Sequence, residues 1–400
     1  MTEKIWRLVP VAAAMLALAG AAQAQSDSSF NISGFGTVGA VKTSTDMGTY
    51  KLLAQTRGAT TKVSTDVDSK LGVQLSGKLN STFSGTVQML SAQDGDGTYA
   101  PEIEWGFVKA QISPALGARV GRMGGPFFAV SDFRHVGYAN LWARPPIDVY
   151  NQVSFSHFDG ADVTYQQSVG SATVSGTLLG GVSKANVGGT TVKLKNIAGV
   201  NLTAELDGGV SLRFGHVSTR LTVENSSLNG LVATLSKTPW ASVGGELSAI
   251  DKKASFTGVG ASLDRGDLVL SAEYTLRRTQ SYVPDTTGWY VSAGYRFGKF
   301  TPYAVVSKIK LDSANVNNTI PAGLPGALAA LKPTVDGLTA SQNPAQDTAA
   351  LGVRWDAYRN TAIKAQFDRV KPEHSGFFGG GANFNGATVN VYSLVVDFVF

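Results

Sequence analysis

Apolar and polar side chains alternate along this chain with a period of two from one end to the other, and that pattern restricts it to β-strands. Within residues 70–79, Leu71, Val73, Leu75 and Leu79 share one face, and Lys70, Gln74, Ser76 and Lys78 share the other. Leu268, Leu270, Ala272, Tyr274 and Leu276 oppose Ser271, Glu273, Thr275 and Arg277. Leu351, Val353 and Trp355 oppose Gly352, Arg354 and Asp356, and Ile363, Ala365 and Phe367 oppose Lys364, Gln366 and Asp368. A soluble sandwich alternates as well, so the environment of the apolar face has to be read from other features.

Three of them point to lipid. Aromatic residues sit on the apolar face at strand ends: Trp289 opens one strand, and Tyr295 and Phe297 close it. About eight residues at roughly 3.3 Å each, tilted by about 40°, span about 20 Å, near the height of an outer-membrane apolar band. Connections alternate between very short and long, as in barrels with tight periplasmic turns and extended outer loops. The chain also stops inside a strand, residues 392–400, ending on Phe400. An apolar edge strand is rarely left open, and closure against the first strand covers it.

Composition narrows the function classes. The chain has 400 residues, 46 of them Gly, no Cys, and only 16% charged residues. The missing cysteines exclude a disulfide framework, a thiolate metal site and a cysteine nucleophile. The formal charge of +5 is not gathered into a dense Lys/Arg block, which argues against nucleic acid as a partner. At the N-terminus Lys4 and Arg7 precede an apolar run at residues 11–19, and Ala22-Gln23-Ala24 places small residues at a cleavage position. That order reads as a cleaved export signal over residues 1–24, leaving residues 25–400 as the barrel domain in the cell outer membrane. The run is too short for a membrane-spanning helix.

Strands are expected near 29–41, 68–79, 82–91, 102–112, 116–123, 158–168, 171–183 and 196–206. The second half continues with 209–223, 255–263, 267–279, 288–297, 299–311, 348–357, 361–371 and 387–400. The connections at Asn80-Ser81, Ser113-Pro114, Val169-Gly170, Asp207-Gly208, 264–267, Gly298 and Arg359-Asn360 are then short turns. Outer loops fill the remaining connections, including 42–67, 124–157, 184–195 and 312–347. Residues 224–254 repeat apolar side chains at helical spacing and read as a loop carrying short helices; read instead as a strand pair, they raise the count from sixteen to eighteen. Either number leaves an aqueous lumen, whereas eight strands would be filled by side chains. The fold class is therefore an all-β, transmembrane antiparallel barrel.

The segments Phe30-Asn-Ile-Ser-Gly-Phe-Gly36, Val120-Gly-Arg-Met123, Tyr295-Arg-Phe-Gly-Lys-Phe-Thr-Pro-Tyr303 and the terminal Phe400 resemble the Gram-negative porin family. That resemblance implies a sixteen-stranded barrel, a homotrimer in outer-membrane lipid and lipopolysaccharide, and a terminal Phe400 recognised by the barrel-assembly machinery. It further implies that the third outer loop, here 124–157, folds into the lumen, with Arg122 similar to the family's wall arginine at the constriction. Tyr138-Ala-Asn-Leu-Trp-Ala-Arg-Pro-Pro-Ile-Asp-Val-Tyr150 departs from the short acidic loop of the general porins.

Charged rings facing a narrow lumen bias ion permeation, so candidate site residues are lumen charges. Gly124-Gly125-Pro126 lets the chain leave its strand, and Phe127, Phe128 and Trp142 are candidates to anchor the loop to the wall. Asp132, Arg134, His135, Arg144 and Asp148 supply its charge; in an outer loop the same residues would form surface salt bridges. Lumen-facing strand charges are expected at Lys70, Lys78, Lys109, Arg122, Arg277, Arg296, Arg354 and Lys364, against Glu104, Glu273, Asp356, Asp368 and Asp397. The basic excess leans towards weak anion preference.

Other constellations carry less. His135, His157, His216 and His374 show no metal-ligand spacing, so no metal or cofactor is expected. Gly34-Phe-Gly-Thr-Val-Gly39 matches a dinucleotide fingerprint but lacks its strand–helix context and reads as a Gly-rich first strand. Asp94-Gly-Asp-Gly97 has too few ligands for a calcium loop. The favoured function is a channel for small hydrophilic solutes. A pore selective for a sugar, phosphate or organic anion is the nearer rival, and a barrel enzyme with a Ser/His set at one rim is the more distant one.

Overall fold

The computed structural model describes residues 30–188 and 190–400. The expected export signal lies outside the described residues. Sixteen antiparallel strands close on themselves: β1 (Phe30–Thr43), β2 (Lys70–Lys78), β3 (Phe83–Ala92), β4 (Glu102–Gln111), β5 (Leu116–Gly124), β6 (His157–Val169), β7 (Ala172–Val187) and β8 (Thr190–Leu206) form the first half. β9 (Val210–Glu224), β10 (Lys252–Arg265), β11 (Leu268–Thr279), β12 (Asp285–Tyr295), β13 (Phe300–Ser313), β14 (Gln346–Tyr358), β15 (Thr361–Pro372) and β16 (Val389–Val399) form the second. Every strand pairs with its sequence neighbours, and β16 returns to β1. Among the described residues no helix is long and apolar enough to cross a membrane.

Closure explains two glycines of the first strand. A Cβ on Gly34 would lie 2.2 Å from the Phe400 ring, and one on Gly36 would lie 2.3 Å from that of Phe398. The seam is therefore closed by aromatic rings lying over bare backbone on the outer face. Gly34 and Phe400 also exchange both backbone hydrogen bonds, at 2.9 and 3.0 Å. The fingerprint-like glycines thus belong to the first strand; Gly34 and Gly36 serve ring packing, and Gly39 makes room for Asp68.

The outer face is apolar along the strands singled out from sequence. Leu75, Tyr274, Val291, Tyr295, Leu351 and Trp355 are all exposed on it, with Phe300 stacked on Trp355 at 5.7 Å. Residues 225–251 hold two short helices, α1 (Ser226–Leu235) and α2 (Ala241–Leu247), which removes the eighteen-strand alternative. α1 is capped by the Asn225 side chain, which accepts from the Leu228 amide. The loop after β13 carries a further helix, α3 (Leu331–Ser341). One boundary needs correction: the loop expected over 184–195 is instead a strand hairpin, with β7 running to Val187 and β8 starting at Thr190. The register of that hairpin shifts between Gly181 and Ser183, and the irregularity hides its continuation from a strict period of two.

Candidate functional site

Residues 125–156, between β5 and β6, leave the strand at Gly125 and run across the inner side of the barrel. They hydrogen-bond to inward side chains from much of the circumference. On one flank Lys364 of β15 donates to the carbonyls of Gly137 (2.7 Å) and Trp142 (2.9 Å). Its ammonium pairs with Asp397 of β16 at 2.8 Å, both side chains being 0% exposed. Gly137 is required there because a Cβ would stand 2.0 Å from the Asp397 carboxylate. Arg354 of β14 donates to the carbonyls of Tyr138 and Asn140 and lies over the Tyr138 ring, while pairing with Asp356.

Arg144 is the most heavily partnered of the loop charges. Its guanidinium makes a bidentate pair with Asp68 (2.8 and 2.6 Å), donates to Ser393 (2.6 Å) and approaches Asp368 at 3.6 Å. Asp148, fully buried, accepts from Ser307 and, at 2.6 Å, from Gln346. Burial pushes its carboxyl from 3.8 up to about 6, against the pull of those donors and with a further push from Asp368.

The other flank is aromatic. Phe128 packs on Tyr150 (4.6 Å) and edge-on against Phe256 (5.1 Å), and Trp142 meets Tyr290 edge-on at 5.5 Å while donating to Ser292. Tyr150 donates to Glu273, whose second oxygen accepts from the Ala129 amide. Arg277 donates to the Gln152 carbonyl (2.7 Å), Arg213 to the Pro126 carbonyl (2.9 Å) and Arg134 to the Phe155 carbonyl (3.3 Å).

The predicted lining residues therefore separate into groups. Lys70, Lys78 and Lys109 share the inward face of their strands, and Lys109 borders the lower cavity described below. Arg144, Asp148, Arg134, Arg277, Arg354 and Lys364 hold the inward segment to the wall or to itself. Arg122 must be corrected. It shares its face with Val120, which is 61% exposed, and pairs across the strands with Asp159 on the outer side of the barrel. Arg119, three residues earlier and of opposite parity, faces inward and pairs with Asp162 at 2.6 Å. Arg296 is also displaced: it lies beyond β12 in the short turn before β13, bound to Asp264 at 2.7 Å.

His135 and His157, far apart in sequence, converge on Glu104 at 3.6 and 3.3 Å. Burial lowers the His135 pKa despite that carboxylate. No cluster of three or more metal-ligating side chains occurs among the described residues.

Below the inward segment lies a cavity of about 870 Å³ lined by Lys109, Arg119, Asp132, Asp162, Arg213 and Glu205 among Ser and Thr side chains. The sequence reading missed Arg119, Asp162, Glu205 and Arg213, although Leu212 and Phe214 flanking Arg213, and Ala161 and Val163 flanking Asp162, carry the needed alternation. Above the segment a second cavity, of about 720 Å³, has an apolar wall built from β8, β9 and β10. That wall departs from the alternation read along the chain, in which the face turned away from lipid is polar.

No curated protein matches the chain in sequence. Its fold is similar to that of OmpF of Salmonella typhi, solved with daunomycin, with a TM-score of 0.55 at 12% identity over 93% of this chain and 97% of that one. An anion-selective porin from Comamonas acidovorans gives 0.54 at 12% identity, over 94% of this chain and 100% of that one. OmpT of Vibrio cholerae, an outer membrane protein in its trimer form, gives 0.53 at 12% identity, over 93% and 100%. A sequence model described as Gram-negative porin matches residues 11–399. With the closed sixteen-stranded barrel, that match over nearly the whole length makes this chain a member of the Gram-negative porin family.

Proposed function

We propose that this porin passes small hydrophilic solutes and ions by passive diffusion, and that residues 125–156 narrow its bore. The observation that carries the reading is the tie between that segment and inward side chains on β9 and β11–β16, beside a polar cavity of about 870 Å³. A segment held at so many points acts as a fixed baffle, because no single opening event releases it.

Weak anion preference follows from the cations left without an ion pair. Lys364–Asp397, Arg354–Asp356, Arg144–Asp68 and Arg119–Asp162 neutralise one another. Among the described inward charges, Lys70, Lys78, Lys109, Arg134, Arg213 and Arg277 are in no ion pair, and they outnumber Asp132, Asp148, Glu205 and Glu273 on the same terms. The anion-selective porin of similar fold is consistent with this direction. The proposed setting is a homotrimer in the outer membrane, delivered by the export signal over residues 1–24. There it contacts lipopolysaccharide, having been inserted through recognition of Phe400.

A barrel enzyme is disfavoured by the geometry of a Ser/His/acid grouping at the start of β6. Ser156 and Glu104 both contact Nδ1 of His157, each at 3.3 Å, so that nitrogen cannot be oriented by the acid and activate the serine together. The test of the channel reading is a planar bilayer recording with a ladder of uncharged polymers. Stepwise KCl conductance with a chloride-selective reversal potential is expected, and replacing residues 138–147 by a Gly/Ser linker should admit larger polymers. Absence of conductance steps, or an unchanged size cut-off in that variant, contradicts it.

A further inference from the structure

The wall above the inward segment differs from the rest of the bore. Lower on the barrel the inward positions of β7–β9 are polar, with Ser175, Thr177, Asn201, Thr203 and Arg213 around the lower cavity. Higher up, β8–β10 turn Leu194, Val217, Leu221, Val223 and Phe256 inward, all buried. Leu228 and Leu231 of α1 cover this wall, and Phe127 and Phe155 of the inward segment close its floor. The volume of this partly open cavity, about 720 Å³, falls in the size range of small-molecule sites, about 300–1,000 Å³. Apolar groups around water cost free energy that polar groups would not, so such a wall favours a solute with apolar surface to bury.

The charges around the cavity are of one sign. Lys51 and Arg277 line it, and no Asp or Glu does so among the described residues. Arg277 donates to the carbonyls of Gln152 and Pro284, and Lys51 to that of Gln55. Carbonyls orient these cations without cancelling their charge, which leaves a desolvated positive edge beside an apolar wall.

We infer that this upper cavity binds small amphipathic organic anions, with an aromatic or branched aliphatic body against Val217, Leu221 and Phe256 and one carboxylate towards Arg277. Binding stands on the cavity alone, whereas onward passage of the ligand rests on the channel reading above. An uncharged sugar has no use for this wall, and a bare inorganic anion gains only the cationic edge.

The test uses the full chain in lipid nanodiscs, titrated calorimetrically with sodium 3-phenylpropionate, sodium acetate and 3-phenyl-1-propanol, with empty discs as background. Phenylpropionate is expected to bind saturably and at least about tenfold more tightly than acetate or the alcohol, since burial of its apolar body and its charge each contribute on that scale. Leu221→Asn should weaken phenylpropionate about tenfold, the cost of placing an amide on the buried wall. Arg277→Gln should bring the acid level with the alcohol. Equal binding of phenylpropionate and acetate to the unaltered chain overturns the inference, as does a folded Leu221→Asn protein with unchanged affinity. The ligand series on the unaltered chain decides alone where a variant does not fold. KCl conductance recorded in parallel separates the two readings: binding without conductance overturns the channel and keeps the site, and conductance without phenylpropionate binding does the reverse.

Discussion

Residues 137–148 and residues 127–130 with 150–155 belong to the same inward segment, yet the first meet the wall mostly through charges, Trp142 aside, and the second mostly through rings, with Glu273 and Arg277 as polar ties. On the charged flank, Lys364, Arg354, Arg144 and Asp148 are held in networks with Asp397, Asp356, Asp68 and Gln346. On the aromatic flank, Phe128, Tyr150 and Phe256 form a dry cluster with Met123 and Val149. The difference teaches that inward charge in this barrel is not equivalent to pore lining. A charge that is wholly buried beside its counter-ion fixes geometry, because breaking it strands the partner in a low-dielectric site. Rings do the same work without polarity, and they leave the neighbouring upper cavity apolar.

The comparison can be broken most forcefully at Lys364. Lys364→Ala strands Asp397 and should lower the free energy of opening the 137–143 region by about 3–5 kcal/mol, read from hydrogen exchange of its amides. The double variant Lys364→Met with Asp397→Leu should recover most of that loss, since an apolar pair of similar volume has no stranded charge. Recovery failing in the double variant would mean that the hydrogen bonds from Lys364 to Gly137 and Trp142, rather than the pair, hold the flank.

Met123→Ala on the aromatic flank is the next largest effect. Its side chain is fully buried in the ring cluster, so truncation should cost about 2–5 kcal/mol and loosen residues 127–130 before residues 137–143. Uniform loosening of both parts would show that the flanks open together.

A smaller effect comes from Asp148, whose carboxyl stands at about 6 in the folded protein against 3.8 ordinarily. The folded state holds more protons than the opened one between those values, so docking strengthens as pH falls from 7 to 4, by at most about 3 kcal/mol. His135 works in the opposite direction, since its lowered pKa makes docking lose stability as pH falls through its ordinary value of 6.5. Asp148→Asn isolates the first term: it should tighten docking at pH 7.5 and change it little at pH 4. An Asn variant indistinguishable from the parent at both pH values would remove Asp148 as a source of pH dependence.

The smallest effect is expected at Arg122. Its pair with Asp159 lies on the outer face at 33% and 44% side-chain exposure, and pairs of that kind contribute about 0–1 kcal/mol. Arg122→Ala should leave ion selectivity unaltered, whereas Arg119→Ala, one strand face away, should shift the reversal potential towards cations.

Much of the fold was legible because a barrel wall is a local pattern. The faces of β2, β11, β14 and β15 follow from period two alone, and the terminal strand at Phe400 announces its need for a partner. Register irregularities are what the pattern does not carry. The extra residue that β8 carries between Lys195 and Ala198, opposite Ser218 to Arg220 of β9 and Gly181 to Ser183 of β7, turns Leu194 inward and breaks the period within the β7–β8 hairpin. The candidate site was less legible, since it depends on which inward charge meets which. Asp68 with Arg144, or Glu104 with His135 and His157, are contacts across long stretches of chain that no spacing encodes. Arg122 was misplaced because a motif resemblance outweighed its parity with Val120.

The most direct test of the central claim uses the absence of cysteine from the chain. Lys109→Cys and Val108→Cys place single thiols on neighbouring positions of β4, one bordering the polar cavity and one on the 43%-exposed outer face. Each variant is recorded in planar bilayers while a charged, membrane-impermeant methanethiosulfonate is added. Current through the Lys109→Cys channels should change in discrete steps while Val108→Cys channels stay silent; steps at Val108→Cys, or silence at both, would contradict a water-filled bore enclosed by this wall.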